Sequence, residues 1–208
     1  MQDISSLLQS KILLLGTNNR KKIVELVNTL EPRGFEIKTP SDFPDAFDVD
    51  ETGTTFMENA RLKAISQAMH RKLWAIGEDS GLCVKALDGR PGIYSARFSG
   101  PTATDQSNNV LLLDRMRSVP DGQRQAYYVS TIALADPSGC IHIETHGECY
   151  GRILTSPRGE SGFGYDPLFE IEAYQKTFAE LGLDVKRAIS HRAHALREFL
   201  NRLDALIG

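Results

Sequence analysis

The sequence has few cysteines, no long apolar run and no excess of charge of one sign. Its three cysteines, Cys83, Cys140 and Cys149, are odd in number and lack C-x-x-C spacing. This argues against a disulfide framework and a structural zinc site, and favours a reduced, cytoplasmic protein. No segment approaches the length of a membrane span, and Met1 to Ser10 lacks a signal-peptide apolar core. We therefore expect a soluble, unprocessed chain with no membrane partner.

The charge balance limits the possible partners. With 24 basic and 27 acidic residues, the net charge of -3 provides no general positive field for a nucleic acid polymer or an anionic membrane. An anionic partner must be bound by local basic groups, which suits a small molecule. The 208 residues, 41% of them hydrophobic, can bury a substantial core, so we expect one domain over residues 1–208, in two lobes.

Short apolar runs alternate with helical periodicity in the first half of the chain. Lys11 to Leu15 predicts a strand, and a helix follows from about Ile23 to Leu30. Phe35 to Thr39 predicts a second strand. An acidic loop then leads to a helix that begins after Thr54 or Thr55 and ends near His70.

The next segment combines an apolar run with turn residues. Leu73 to Ile76 predicts a strand ending at Gly77, Asp79-Ser80-Gly81 predicts a turn, and Leu82 to Leu87 predicts a further strand. Turns of this kind commonly join short strands.

The rest of the chain adds a hairpin and a final helix. Ala126 to Ala135 and Cys140 to Tyr150 predict a long antiparallel hairpin, and the last helix is predicted from about Ser190 to Leu206. Strands and helices interleave early, whereas the hairpin dominates the middle. We therefore predict an α/β fold with a mixed β-sheet flanked by helices, in two lobes around a central cleft.

Two adjacent acids, Glu78 and Asp79, follow a buried strand. Carboxylates in such a position are costly without a metal ion or a cationic partner. Glu51, at the end of the acidic loop, would complete an oxygen-rich site for Mg²⁺ with Asp79. Taken alone, an acidic loop of this kind is more often a solvated turn that the dipole of the following helix favours.

Basic and amide side chains crowd the turn between the first strand and the first long helix. This turn offers backbone N–H groups, a helix dipole and cations to a phosphate, although it matches neither a P-loop nor a dinucleotide fingerprint. A capped helix start with solvated lysines is the alternative. The candidate substrate-binding residues of the turn are Thr17, Asn18, Asn19, Arg20, Lys21 and Lys22.

Two later segments are candidates for recognising a planar base. Glycines around Phe163 and Tyr165 would let the backbone approach a ligand while a ring stacks on it, unless this is an ordinary turn with Phe163 packed inward. Lys186, His191 and Arg192 lie in a stretch predicted at a helix start, where the dipole disfavours cations. Such a conflict often marks function, although a solvated basic turn stays possible.

Taken in order, these segments resemble the inosine triphosphate pyrophosphatase family from Leu15 to about Phe199. Asn18 and Lys21 stand where that family often has Gly, and Glu78 stands where a second Asp is common. The segments that carry the resemblance are Thr17 to Lys22, Glu51-Thr52-Gly53, Phe56 to Ala64, Asp79-Ser80-Gly81-Leu82, Pro91 to Arg97, Gly162 to Pro167 and Ser190-His191-Arg192.

The resemblance implies a bent mixed sheet in two lobes, a homodimer, and Mg²⁺-dependent cleavage of ITP, dITP or XTP to a monophosphate and pyrophosphate. It implies that Glu51 and Asp79 hold Mg²⁺, with Asp79 also the general base. The residues implied to contact the phosphates are Thr17, Asn19, Lys22, Lys186 and Lys63. The Ser80 hydroxyl is implied to make a contact near the substrate. Those implied to contact the nucleoside are Phe163, Gly164, Tyr165, Asp166, His191 and Arg192.

Two other functions are open at this point. A Maf-like nucleotide pyrophosphatase would share the fold and prefer pyrimidine or modified nucleotides, but the Ser-His-Arg and Phe-Gly-Tyr-Asp segments argue against it. A nucleotide sensor would bind without turnover. The retained acids Glu51 and Asp79 argue against a sensor, because a protein that only binds has little need of a general base.

Overall fold

The computed structural model describes residues 4–207. The first residues of the predicted unprocessed N-terminus, and the final residue of the predicted 1–208 domain, lie outside this range. The helices are α1 (Ser5–Ser10), α2 (Arg20–Leu30), α3 (Phe56–Arg71), α4 (Asp105–Arg115), α5 (Phe178–Ile189) and α6 (His191–Ile207). The strands are β1 (Ile12–Leu15), β2 (Glu36–Lys38), β3 (Trp74–Val84), β4 (Gln125–Ala135), β5 (Ile141–Ile153), β6 (Phe169–Ile171) and β7 (Lys176–Thr177). Within the described residues, no helix combines the length and apolar character needed to cross a membrane.

The strands form one seven-stranded sheet in the order β2-β1-β3-β4-β5-β6-β7. Strand β1 runs parallel to both β2 and β3, whereas β6 runs antiparallel to both β5 and β7. The prediction of an α/β fold with a mixed sheet is therefore confirmed. The β4 and β5 strands are neighbours joined by a short turn, as the predicted hairpin requires.

The chain divides into two compact units, each with its own core. Of the described residues, unit 1 contains 4–79, 131–146 and 196–207, and its core includes Leu14 and the small residues Ala60 and Ala64 of α3. Unit 2 contains residues 80–130 and 147–195, and its core is rich in aromatic residues such as Tyr128 and Phe169. The central cleft stays a prediction.

Strand β3 corrects the predicted strand-turn-strand arrangement. The residues Asp79-Ser80-Gly81 form no turn, because β3 continues from Trp74 to Val84 and a short 3-10 helix follows. The buried acids within β3 are paired with lysines of unit 1, which reduces the desolvation penalty of placing them in a strand interior. Gly77 is required in β3, since a Cβ there would lie 2.0 Å from the Ala60 carbonyl oxygen of α3.

The end of the chain holds a second correction. Lys186 lies in the last turn of α5, a helix that the sequence did not predict, and not at a helix start. The dipole therefore favours Lys186, and the predicted conflict applies only to His191 and Arg192 in the first turn of α6. Gly182, with φ of 79°, interrupts α5 with non-helical geometry and hides its helical periodicity.

Candidate active site

The turn between β1 and α2 is built around an amide cap. The Asn19 side-chain oxygen accepts from the backbone N–H of Lys22 (3.4 Å), and the Thr17 hydroxyl oxygen accepts from the N–H of Asn19 (3.2 Å). Arg20 is exposed at the first position of α2. The capped helix start, which was the alternative to a phosphate site, is thus present. A cap does not exclude a phosphate site, because the remaining N–H groups of the helix start stay available to an anion.

Asn18 faces the acidic loop that follows β2. Its side-chain N–H₂ donates to the Asp48 carboxylate (2.7 Å), and its oxygen accepts from the Ser41 hydroxyl (3.4 Å). The predicted role of Asn18 as a substrate ligand has no support from these contacts, because both polar atoms bind the loop.

Lys22 is not a solvated lysine. Its ammonium lies 2.7 Å from Glu78 Oε2, and Glu78 is only 1% exposed. No role was predicted for Glu78. The structure places it in β3, where it holds the lysine of the predicted phosphate turn.

A second lysine lies between the two predicted metal ligands. The Lys63 ammonium is 2.6 Å from Glu51 Oε1 and 3.1 Å from Asp79 Oδ1. Asn59 donates to the other Asp79 oxygen (3.2 Å) and accepts from the Gly53 N–H (2.9 Å). This one cluster therefore joins the acidic loop, α3 and β3 within unit 1.

Helix α3 fixes the geometry of this cluster. Thr55 caps the helix through a capping box with Glu58, which sets where its first turn begins. Asn59 and Lys63 are four residues apart and therefore lie on one face, as the spacing predicts. The Thr131 hydroxyl donates to the Asp79 carbonyl oxygen (3.3 Å) and ties the backbone of β3 to β4.

Burial and charge act in opposite directions on the ionisable groups of the cluster. Burial raises the pKa of Asp79, and the charges of Lys63 and Lys22 offset only part of this effect. Burial lowers the pKa of Lys63, but Asp79 and Glu51 outweigh it, so the pKa of Lys63 is raised overall. Asp79 is thus a stronger base than an ordinary aspartate, which suits a group that accepts a proton from water.

The oxygen donors fit a divalent cation that the substrate helps to bind. Among residues 4–207 no group of three or more His, Cys, Asp or Glu side chains is arranged to hold a metal ion. Glu51 and Asp79 nevertheless converge on one cation, the Lys63 ammonium. Mg²⁺ is commonly held by one or two carboxylates together with phosphate oxygens and water, which matches this pair.

The glycine-rich loop of unit 2 is organised by Asp166. This buried carboxylate accepts from the Lys186 ammonium (2.5 Å) and from the Phe163 backbone N–H (2.8 Å). The ammonium also lies 4.0 Å from the centroid of the Phe163 ring. Gly162 is necessary, because its φ is +86° and a Cβ would lie 2.2 Å from the Asp166 carboxylate. Lys186, predicted to contact phosphate, is thus bound to Asp166.

The remaining residues of this loop are fixed by other elements of unit 2. Tyr165 is a core residue whose hydroxyl donates to the Ser95 carbonyl (2.8 Å), and burial raises its pKa. The Gly164 N–H donates to Asp105 (2.9 Å), and its carbonyl accepts from Asn109 (2.9 Å). The predicted part of Tyr165 in shaping a pocket is therefore indirect, since its ring belongs to the core.

The first turn of α6 carries the predicted base-reading residues. The His191 ring stacks on Tyr128, with centroids 4.7 Å apart and planes 11° from parallel. The Arg192 guanidinium donates to the Ser80 hydroxyl (3.2 Å). The sequence did not identify Tyr128, because it lies within an apolar strand and nothing distinguishes it from other core residues.

Comparison with known proteins gives a consistent family. Residues 13–202 match the model of the Ham1 family. A dITP/XTP pyrophosphatase of Rhodopirellula baltica is 47% identical over 94% of each chain, and one of an Exiguobacterium species is 48% identical over 89% of this chain and 93% of its own. A solved HAM1 protein from Coxiella burnetii superposes with a TM-score of 0.87 at 35% identity, covering 93% of this chain and 98% of that one. The chain belongs to the Ham1 family.

Proposed function

We propose that this protein hydrolyses the nonstandard purine nucleoside triphosphates ITP, dITP and XTP to a nucleoside monophosphate and pyrophosphate. Family membership and relatives named dITP/XTP pyrophosphatases support this substrate class. The single structural observation behind it is the pair Glu51 and Asp79, which converge on one cationic position within unit 1.

Mg²⁺ is the cofactor that these donors suit best. Glu51 and Asp79 would hold it, and the substrate phosphates would supply further oxygens. When bound, Mg²⁺ supplies a Lewis acid that neutralises charge on the phosphates. The dependence on Mg²⁺ is thus part of the proposal.

Residues of unit 1 bind the triphosphate and activate water. Lys22, held by Glu78, neutralises phosphate charge, and the capped turn at Thr17 and Asn19 presents backbone N–H groups. Asp79 accepts the proton from the attacking water.

Residues of unit 2 recognise the nucleoside. Hypoxanthine and xanthine carry an oxygen at purine C6, where adenine carries an amino donor. Side-chain donors of His191 and Arg192 aimed at that oxygen would bind hypoxanthine and xanthine. With adenine, each of these donors would face the amino group, which is also a donor. Each buried donor left without an acceptor would cost roughly 1–3 kcal/mol of binding free energy. The Phe163 ring would stack on the base.

The wider setting of the enzyme is also proposed. The two units act as one pyrophosphatase domain in a cytoplasmic homodimer. The three cysteines are free, which is compatible with a reducing compartment.

A substrate panel tests the proposed function. Pyrophosphate release is measured from ITP, dITP, XTP, ATP, GTP, dTTP and UTP, with and without Mg²⁺. We expect release from the first three only, and only with Mg²⁺. Faster turnover of dTTP or UTP than ITP would replace the purine proposal with a Maf-like activity. Binding of ITP without pyrophosphate release would indicate a sensor.

A further inference from the structure

The Lys63 ammonium occupies the space between the two carboxylates that would hold the metal. It contacts Glu51 at 2.6 Å and Asp79 at 3.1 Å, and it donates to the Glu78 carbonyl oxygen at 3.3 Å. Three oxygens from the acidic loop and β3 therefore surround one positive charge. This is the arrangement that a small cation would have at the same position.

The body of the Lys63 side chain is fixed while its charged end is held by polar contacts alone. The residue is buried, and its Cβ lies 3.0 Å from where a Cβ on Gly77 would be, because α3 packs closely against β3. Three methylenes separate this Cβ from the ammonium. The ammonium can therefore exchange one set of oxygens for another without moving α3.

Two carboxylates share this one ammonium, and Asp79 is buried whereas Glu51 is partly exposed. Without a cation between them, the burial of Asp79 and the repulsion between the two negative charges would be uncompensated. Lys63, in contact with both carboxylates, supplies this positive charge. A divalent cation binding to the same oxygens would meet the repulsion of the ammonium, so one must displace the other.

We propose that Lys63 is a built-in counter-cation that competes with the divalent metal for Glu51 and Asp79. The free protein then binds metal weakly, and the metal enters together with the nucleotide. The displaced ammonium of Lys63 moves to the triphosphate, whose oxygens replace the carboxylates it leaves. This inference rests on the metal-binding part of the proposed function.

The proposal makes metal and nucleotide binding cooperative. Triphosphate offers Lys63 a second set of anionic oxygens, which lowers the free energy needed to vacate the carboxylates. By linkage, nucleotide raises metal affinity by the same factor as metal raises nucleotide affinity.

The test measures Mn²⁺ binding to the nucleotide-free protein through the electron paramagnetic resonance signal of free Mn²⁺. Lys63→Met should tighten Mn²⁺ binding about tenfold or more, because one adjacent charge typically changes carboxylate affinity for a cation by a comparable factor. Lys63→Gln should shift it in the same direction, which guards against a folding defect of one variant. Circular dichroism checks that each variant is folded.

Lys22→Met is the matched control. It removes the same charge from the same unit, but from a lysine bound to Glu78. The proposal requires a smaller tightening than in Lys63→Met. Equal tightening in both would overturn it, because only the net charge of the unit would then matter. Unchanged or weaker Mn²⁺ binding in Lys63→Met and Lys63→Gln would also overturn it.

Glu51→Gln separates this proposal from the function on which it rests. One outcome is that Glu51→Gln loses Mn²⁺ binding while the Lys63 variants show no tighter binding. That result would support the metal site and overturn the proposal that Lys63 competes with the metal. Unchanged Mn²⁺ binding in Glu51→Gln would instead overturn the metal assignment itself. ITP hydrolysis by the unsubstituted protein is assayed separately and reports on the proposed function alone.

Discussion

Lys22 and Glu78 form a short ion pair, 2.7 Å from Nζ to Oε2, in which the glutamate is buried within β3. The lysine belongs to the first turn of α2, where a helix dipole disfavours a cation. The buried carboxylate offsets this effect and fixes the direction of the lysine. Glu78 is therefore a positioning residue for a predicted phosphate contact.

Glu78→Gln should raise the KM for ITP about 3- to 10-fold and change kcat less, because Lys22 loses its charged partner but Asp79 is retained. Steady-state kinetics at saturating Mg²⁺ measure both constants. Glu78→Asp, which restores the charge, should recover part of the KM. A loss confined to kcat would place Glu78 in the chemical step instead.

Asp79→Asn should lower kcat for ITP by about 10²- to 10⁴-fold, the usual contribution of a general base, while the fold survives. Pyrophosphate release under single-turnover conditions measures the chemical step directly. Asp114→Asn, which alters an exposed acid paired only with Arg117 in the described contacts, should keep normal activity. Substantial turnover by Asp79→Asn would remove Asp79 from the base role.

His191→Ala should reduce the preference for ITP over ATP, expressed as the ratio of kcat/KM values, by about tenfold, since one donor to purine C6 is lost. His194 lies on the same helix and contacts the Glu148 carbonyl at 2.8 Å. His194→Ala is therefore the control and should leave the ratio unchanged. An ITP/ATP ratio that His191→Ala does not alter contradicts the assignment.

Gly77→Ala should destabilise the protein by about 3 kcal/mol, because the new methyl group would overlap the α3 backbone and the structure must shift to admit it. Urea unfolding measures the free energy of unfolding. Gly122→Ala is a matched control: a Cβ at Gly122 meets no atom within 4 Å, and we expect a change within about 0.5 kcal/mol. Equal stability of the two variants would show that α3 and β3 are less closely packed.

Asp136 should make the stability of unit 1 depend on pH. The Asp136 carboxylate accepts hydrogen bonds from the Ser138 and Cys140 backbone N–H groups and contacts a ring nitrogen of His142. Burial raises the pKa of Asp136, but these hydrogen bonds outweigh it and lower the pKa from 3.8 to about 2. Because the folded-state pKa is the lower one, the stabilisation is present above about pH 4 and is lost as pH falls through about 2.

Asp136→Asn should therefore cost about 1–2 kcal/mol at pH 7 and progressively less in acid. Urea unfolding of both proteins from pH 2 to pH 7 gives the difference. A difference that does not vary with pH would mean that the carboxylate charge is not what stabilises the turn.

Periodicity and turn residues predicted much of the fold. The amphipathic pattern of α3 and its threonine cap are local properties, so they were visible in the sequence, and so were the hairpin strands β4 and β5. Strand β3 was predicted with a turn because polar residues and Gly81 usually end a strand. Only the long-range lysine partners make the continuous strand favourable, and a local pattern does not contain them.

The same limit applies to the candidate site. Asp79 could be singled out because it follows an apolar strand, and Glu51 because it ends the acidic loop and matches the family resemblance. The position of Lys63 between them and the binding of Lys186 to Asp166 depend on contacts between residues 12 to 20 positions apart in the sequence. Helix α5 was missed because Gly182 breaks its periodicity.

The contacts of Asn18 with Asp48 and Ser41 have an evolutionary consequence. Glycine at position 18 would have no side chain to offer these two residues, so selection on positions 41 and 48 should relax in relatives that carry glycine there. The residues at positions 18, 41 and 48 are thus expected to change together across the family. This covariation should be independent of the catalytic residues.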